Sequence, residues 1–125
     1  MIGSKHIELL RRLAKSTKEG KLSWQEDTSK DSFIVAFSRY SVSIAYYADL
    51  AGSEDEITVK IFNSEGELIE SVSHTDFAQG TLSIGSSFFF LRELYHDARR
   101  KAVGIDGALD SILEELPSDD DEVPF

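Results

Sequence analysis

Three histidines and their neighbouring carboxylates are the side chains whose types first suggest acid–base or metal chemistry. His6, His74 and His96 sit on three separate stretches of this 125-residue chain. Glu93-x-x-His96 has the spacing of a half-site in carboxylate-bridged metal bundles, but such sites need a second copy and further carboxylates. One copy is present, so a solvated helix face is the expected reading. His74-Thr75-Asp76 could orient an imidazole against a carboxylate. No nucleophile is specified beside it, and it reads as a polar loop after a strand. The sequence contains no G-x-x-x-x-G-K-[ST], no G-x-G-x-x-G and no H-E-x-x-H. Gly80 to Gly85 lacks the lysine of a phosphate cradle and reads as a loop. There is no cysteine, which excludes disulfides, thiolate catalysis and cysteine zinc sites. The expectation is a non-enzymatic chain with no metal and no cofactor.

Arg99-Arg100-Lys101 is a small basic cluster at the end of an expected helix. Nucleic-acid binding would need such cations joined to others and interleaved with exposed aromatics, for which Trp24, Tyr40, Tyr46 and Tyr47 are the candidates. Complementation of the helix dipole, with the aromatics in the core, explains the same residues. The charge balance agrees: 13 Lys and Arg stand against 23 Asp and Glu, a net charge of −10. A chain this acidic is a poor ligand for a polyanion unless its cations share one face. Basic protein partners suit it better.

The sharpest pattern is the last stretch, Asp119, Asp120, Asp121, Glu122, Val123, Pro124 and Phe125. The acidic run and an α-carboxylate on Phe125 would steer the segment to a basic groove and make binding salt-sensitive. Phe125 offers a large apolar anchor at low entropic cost. Pro124 fixes one backbone dihedral and lowers the ordering penalty. A terminal carboxylate is itself a docking handle.

These seven residues resemble the acidic C-terminal tip of bacterial single-stranded-DNA-binding proteins, which typically ends Asp-Asp-Asp-Ile-Pro-Phe. That tip is the docking peptide for many replication, recombination and repair proteins. The resemblance implies that Phe125 and its carboxylate fill the partner's pocket. Pro124 and Val123 would pack beside them, with Val123 where the family has Ile, while Asp119, Asp120 and Asp121 would meet the basic rim. Glu122 departs from the pattern by adding an acid before the apolar residue. The resemblance stops at the tail, since the preceding residues do not follow the OB-fold of that family.

The elements that would carry this tail read clearly. Ser4 caps a first helix over about Lys5 to Glu19, with Ile7, Leu10 and Ala14, and Leu9 and Leu13 beside them, on one broad stripe and Gly20 beyond its end. Five strands follow: Leu22–Trp24, Phe33–Phe37, the alternating Val42, Ile44 and Tyr46, the alternating Ile57, Val59 and Ile61, and Leu68–Ser73. Ala51 to Asp55 is a loop, and Gly66 supplies the left-handed position of a hairpin turn. Tyr47 and Phe62 take the outward parity of their strands. A second helix starts near Ser86 or Ser87, presents Phe88, Leu91, Leu94, Tyr95 and Ala98 to the core, pairs Asp97 with Lys101 outside, and ends at Gly104. Asp106 caps a third, with Leu109, Ile112, Leu113 and Leu116 at i, i+3, i+4, i+7 before Pro117.

The expected architecture is therefore α+β. It has an antiparallel five-stranded meander with an N-terminal helix and two C-terminal helices over residues 1–116, then a disordered acidic tail over 117–125. The segment before the first helix lacks the apolar core of a signal peptide, and no run approaches the ~20 residues of a membrane span. A cytoplasmic protein of a bacterium or phage, without membrane contact, is expected. Its function would be to dock the tail onto genome-maintenance proteins. Two alternatives are a single-stranded-DNA-binding protein of unusual fold and an acidic inhibitor or immunity protein capping a basic enzyme site. Direct contact with nucleic acid is the less favoured expectation.

Overall fold

The computed structural model describes residues 3–29, 31–48, 55–77 and 84–117. Helix α1 (Ser4–Lys18) forms because Leu10, Leu13 and Thr17 recur at helical spacing, and these are the residues it buries. Gly3, rather than the expected Ser4, is its cap residue. The Gly3 N–H donates to Nδ1 of His6 at 3.0 Å, so an imidazole one turn in closes the start. Lys15 and Lys18 load the last turn and complement the dipole. Gly20, at φ +73°, supplies the left-handed exit.

Leu22–Trp24 is not a strand. The chain there turns Trp24 into the core, at 3% exposure. The Trp24 indole N–H donates to Oγ1 of Thr17 at 3.0 Å, and that hydroxyl donates to the Leu13 carbonyl at 2.6 Å. The first strand, β1 (Gln25–Glu26), begins one residue later.

The other strands are β2 (Ser32–Ala36), β3 (Tyr40–Tyr47), β4 (Glu56–Asn63) and β5 (Leu68–Ser73). Each pairs antiparallel with the next, in the order β1-β2-β3-β4-β5. Short links dictate this meander. Gly66, at φ +81°, turns the β4–β5 hairpin as expected. The register sets Phe33 opposite Ile44, Val35 opposite Val42, and Val59 opposite both Ile44 and Val72. With a period of two, all of these point to one face.

Helix α2 (Ile84–Val103) crosses that face. It starts upstream of Ser86 and Ser87, and Ser87 is buried within it rather than capping it. Leu91, Leu94, Tyr95 and Ala98 join the inner strand residues and Leu10, Leu13 and Trp24 in one core cluster. The Tyr95 ring sits 5.4 Å from Phe33 and 5.3 Å from Tyr46, a stack that pins α2 to β2 and β3.

Gly104, at φ +73°, breaks the backbone into helix α3 (Ile105–Glu115). Asp106 is a first-turn residue rather than the cap. Its carboxylate accepts from Nε of Arg100 at 3.0 Å, and this, rather than the expected Asp97–Lys101 pair, is the ion pair at the end of α2. Most of the expected 51–55 loop, residues 78–83 and the whole of 118–125 lie outside the described residues. Among the described residues no helix is long and apolar enough to cross a membrane.

Candidate functional site

Asp119, Asp120, Asp121, Glu122, Val123, Pro124 and Phe125 all lie outside the described residues, so the structure bears on the platform that delivers them. That platform is α3. It buries none of its residues. Leu109, Ile112, Leu113 and Leu116, expected as a repeating apolar stripe, are between 48% and 65% exposed. Pro117 then ends the described chain at an exposed position. The hydrogen bond to Asp106 raises the pKa of the Arg100 guanidinium. The same bond anchors the start of α3 to the end of α2.

The histidines are spread across the fold, and His6 and His74 bond to other elements or to the chain start. Nδ1 of His6 accepts the Gly3 N–H, and its Nε2 lies 3.2 Å from Oε2 of Glu70 on β5. This bond, and then the Ser71 N–H, lower the pKa of Glu70. His74 is 3% exposed in a 3-10 turn (His74–Phe77), with Phe88 packed edge-on at 5.1 Å. The Ile57 N–H approaches its Nδ1 at 3.5 Å. Asp76 does not face His74; its Oδ2 takes the Ser73 N–H at 2.7 Å. Glu93 and His96 are both exposed on α2, as a solvated helix face requires. Among the described residues no three His, Asp or Glu side chains gather as a metal site.

Of the four aromatics that nucleic-acid binding would draw on, Tyr40 and Tyr47 are exposed, and Lys60 lies over the Tyr47 ring, 5.7 Å from its centroid. Trp24 is buried and offers no stacking face. Tyr46 donates its hydroxyl to Asp55 at 2.6 Å, and this bond, with burial, raises its pKa. Tyr47 is exposed, but on the outer face of the sheet, where Nζ of Lys60 reaches its hydroxyl at 3.2 Å. Arg99, Arg100 and Lys101 belong to α2 on the opposite face. The outer face carries a shallow concavity of about 340 Å³, floored by small side chains such as Ser32, Ser43 and Ala45 and edged by Tyr47, Lys60 and Phe62. Among the described residues it is lined by one cation, Lys60, and by the carboxylate of Asp27.

The free edge of β5 is blunted. The Ser71 N–H donates to Glu70 at 3.2 Å and the Ser73 N–H to Asp76, so carboxylates take donors that an added strand would otherwise use. A bulge at Ile61/Phe62 further disrupts this side of the ladder.

Sequence reasoning missed two features. The first is the imidazole closure of α1, visible only as a histidine three residues after a glycine. The second is the exposure of α3. Its signal was present, since Ile105 to Leu116 contains four acids, no cation and a glycine, Gly107, in its first turn. In comparisons with protein-family models, curated proteins and solved structures, nothing matches this chain.

Proposed function

We propose that this chain is a non-enzymatic interaction module that docks, through Asp119–Phe125, onto replication and repair proteins that accept the tip of single-stranded-DNA-binding proteins. The observation that carries the reading is the order of residue types in that segment: three aspartates, an acid, an aliphatic, proline, then an aromatic. Each suits a basic-rimmed apolar socket. Carboxylates accelerate encounter and fix register, Pro124 limits the conformations to be lost, and Phe125 supplies the buried area. The exposed delivery of the chain at Leu116 and Pro117 is consistent with a segment presented away from the core.

Affinity on the micromolar scale, about −8 kcal/mol, is expected for a short peptide that is ordered on binding. The test is a titration of a purified tip-binding repair protein with three forms of the full chain. Wild type should bind, deletion of Phe125 should abolish binding, and Glu122→Ala should only weaken it. Peptides of Asp119–Phe125 with free and amidated ends measure the share carried by the carboxylate. Equal affinity with and without Phe125 would contradict the reading.

A further inference from the structure

Helix α3 has the pattern of a core helix and no core. At 3.6 residues per turn, Ile105, Leu109, Ile112, Leu113 and Leu116 fall within an arc of roughly 140° with Ala108. The last four are among the most exposed large apolar side chains described. Isolated helices shorter than about 12–15 residues are marginal in water, because packing of an apolar face normally supplies their stability. With 11 residues, a glycine in its first turn and Leu109, Ile112, Leu113 and Leu116 all exposed, α3 has little of that support within the described fold.

Charge selects what would cover it. Asp106 borders the stripe on one side and Glu115 on the other, with Asp110 and Glu114 behind. From Ile105 to Phe125 the chain carries eight acidic residues and no Lys or Arg. Two copies facing each other through this stripe would bring like charges together at the rim. The groove between α1 and α2, floored by Ala14, Phe89 and Phe90, is rimmed by Lys15 and Lys18 but equally by Glu93 and Asp97, so it offers no net attraction to an acidic segment.

We propose that α3 docks by its Leu109–Ile112–Leu113–Leu116 face into an apolar groove rimmed by Lys and Arg, on the same partner that takes the tail. Helix and tail then form one two-part ligand. The choice of partner rests on the tail reading, whereas the helix face is argued from its own exposure and charge. Residues 118–125 span at most ~29 Å when extended, which limits the distance between groove and socket. Within that reach the second contact forms at high effective concentration.

The test uses full-length protein: wild type, Ile112→Ser/Leu113→Ser, Phe125 deleted, and the combination. Each is titrated into a purified replication or repair protein whose tip pocket is known. The peptide Asp119–Phe125 is titrated beside them, with sedimentation and amide exchange of the free chain. Both altered side chains are exposed, so the double variant should keep the wild-type unfolding midpoint. It should bind about tenfold more weakly than wild type, close to the isolated peptide. Amides of α3 should exchange quickly in the free chain and slowly in the complex.

The inference is overturned if the double variant binds like wild type while deletion of Phe125 abolishes binding; the tail reading then stands alone. Loss in the double variant with none on Phe125 deletion leaves the helix and removes the tail reading. No change in either removes both. A wild-type dimer that the double variant abolishes, or protection of α3 in the free monomer that it abolishes, reassigns the face to a second copy or to this chain itself and overturns the inference.

Discussion

Helices α1 and α3 are written in the same pattern and have opposite fates. Each repeats apolar residues at three and four positions. Yet α1 buries Leu10 and Leu13 at 3% and 4% exposure, while Leu113 of α3 is 65% exposed. The difference lies in what faces them. Neighbouring strands are about 4.8 Å apart, so five strands present a face roughly 19 Å wide, and two helices of about 10 Å fill it. Residues of α1 and α2 fill the core on that face, and α3 contributes none of its residues to it. Charge divides them as well: α1 carries five cations and one acid, whereas α3 carries four acids and no cation. Periodicity therefore shows that a helix has an apolar face; the area left opposite decides whether this chain covers it.

A matched pair of truncations gives the largest contrast. Leu13→Ala should cost about 2–5 kcal/mol in urea unfolding, by lost burial and a residual cavity. Leu113→Ala should stay within about 0.5 kcal/mol, as for an exposed site. Comparable losses at the two positions would mean that α3 is covered within the chain. Next in size is Thr17→Val, which keeps the shape but leaves the buried Trp24 indole N–H without its acceptor. A loss of about 1–3 kcal/mol is expected, with a change in tryptophan fluorescence.

Gly107→Ala sharpens the comparison from the other side. Nothing lies within 4 Å of the added Cβ. The substitution should favour α3 by about 0.5–1 kcal/mol, read as slower exchange of its amides with an unchanged global unfolding midpoint. The smallest effect is on the acid limb. Because the native pKa of Glu70 is lowered, its contribution is fully present above the ordinary glutamate range of about 4.3 and is lost as pH falls through the native value. Glu70→Gln should flatten the stability curve in that window alone. An unchanged slope there would detach His6 from β5.

Much of the body was legible in the sequence. Alternation of Val42, Ile44 and Tyr46, and of Ile57, Val59 and Ile61, predicted the strands and their inner face, and the left-handed glycines at 20 and 66 fell where the turns needed them. Strand β1 was misplaced because the aromatic character of Trp24 reads equally as strand or core, and only the Thr17 hydroxyl at the end of α1 decides between them. The start of α2 shifted because serine reads as a cap by propensity, while Ser87 is buried within the helix. The His74–Asp76 pairing failed because a local backbone donor at Ser73 captured the carboxylate. The docking segment, by contrast, remains a reading of residue order alone.

The most direct test of the division between scaffold and docking segment compares the full chain with a form ending at Leu116, by calorimetric titration into a tip-binding repair protein. The account predicts the same unfolding midpoint for both and binding only by the full chain. An unchanged dissociation constant for the shortened form would place the activity in the α+β body and contradict it.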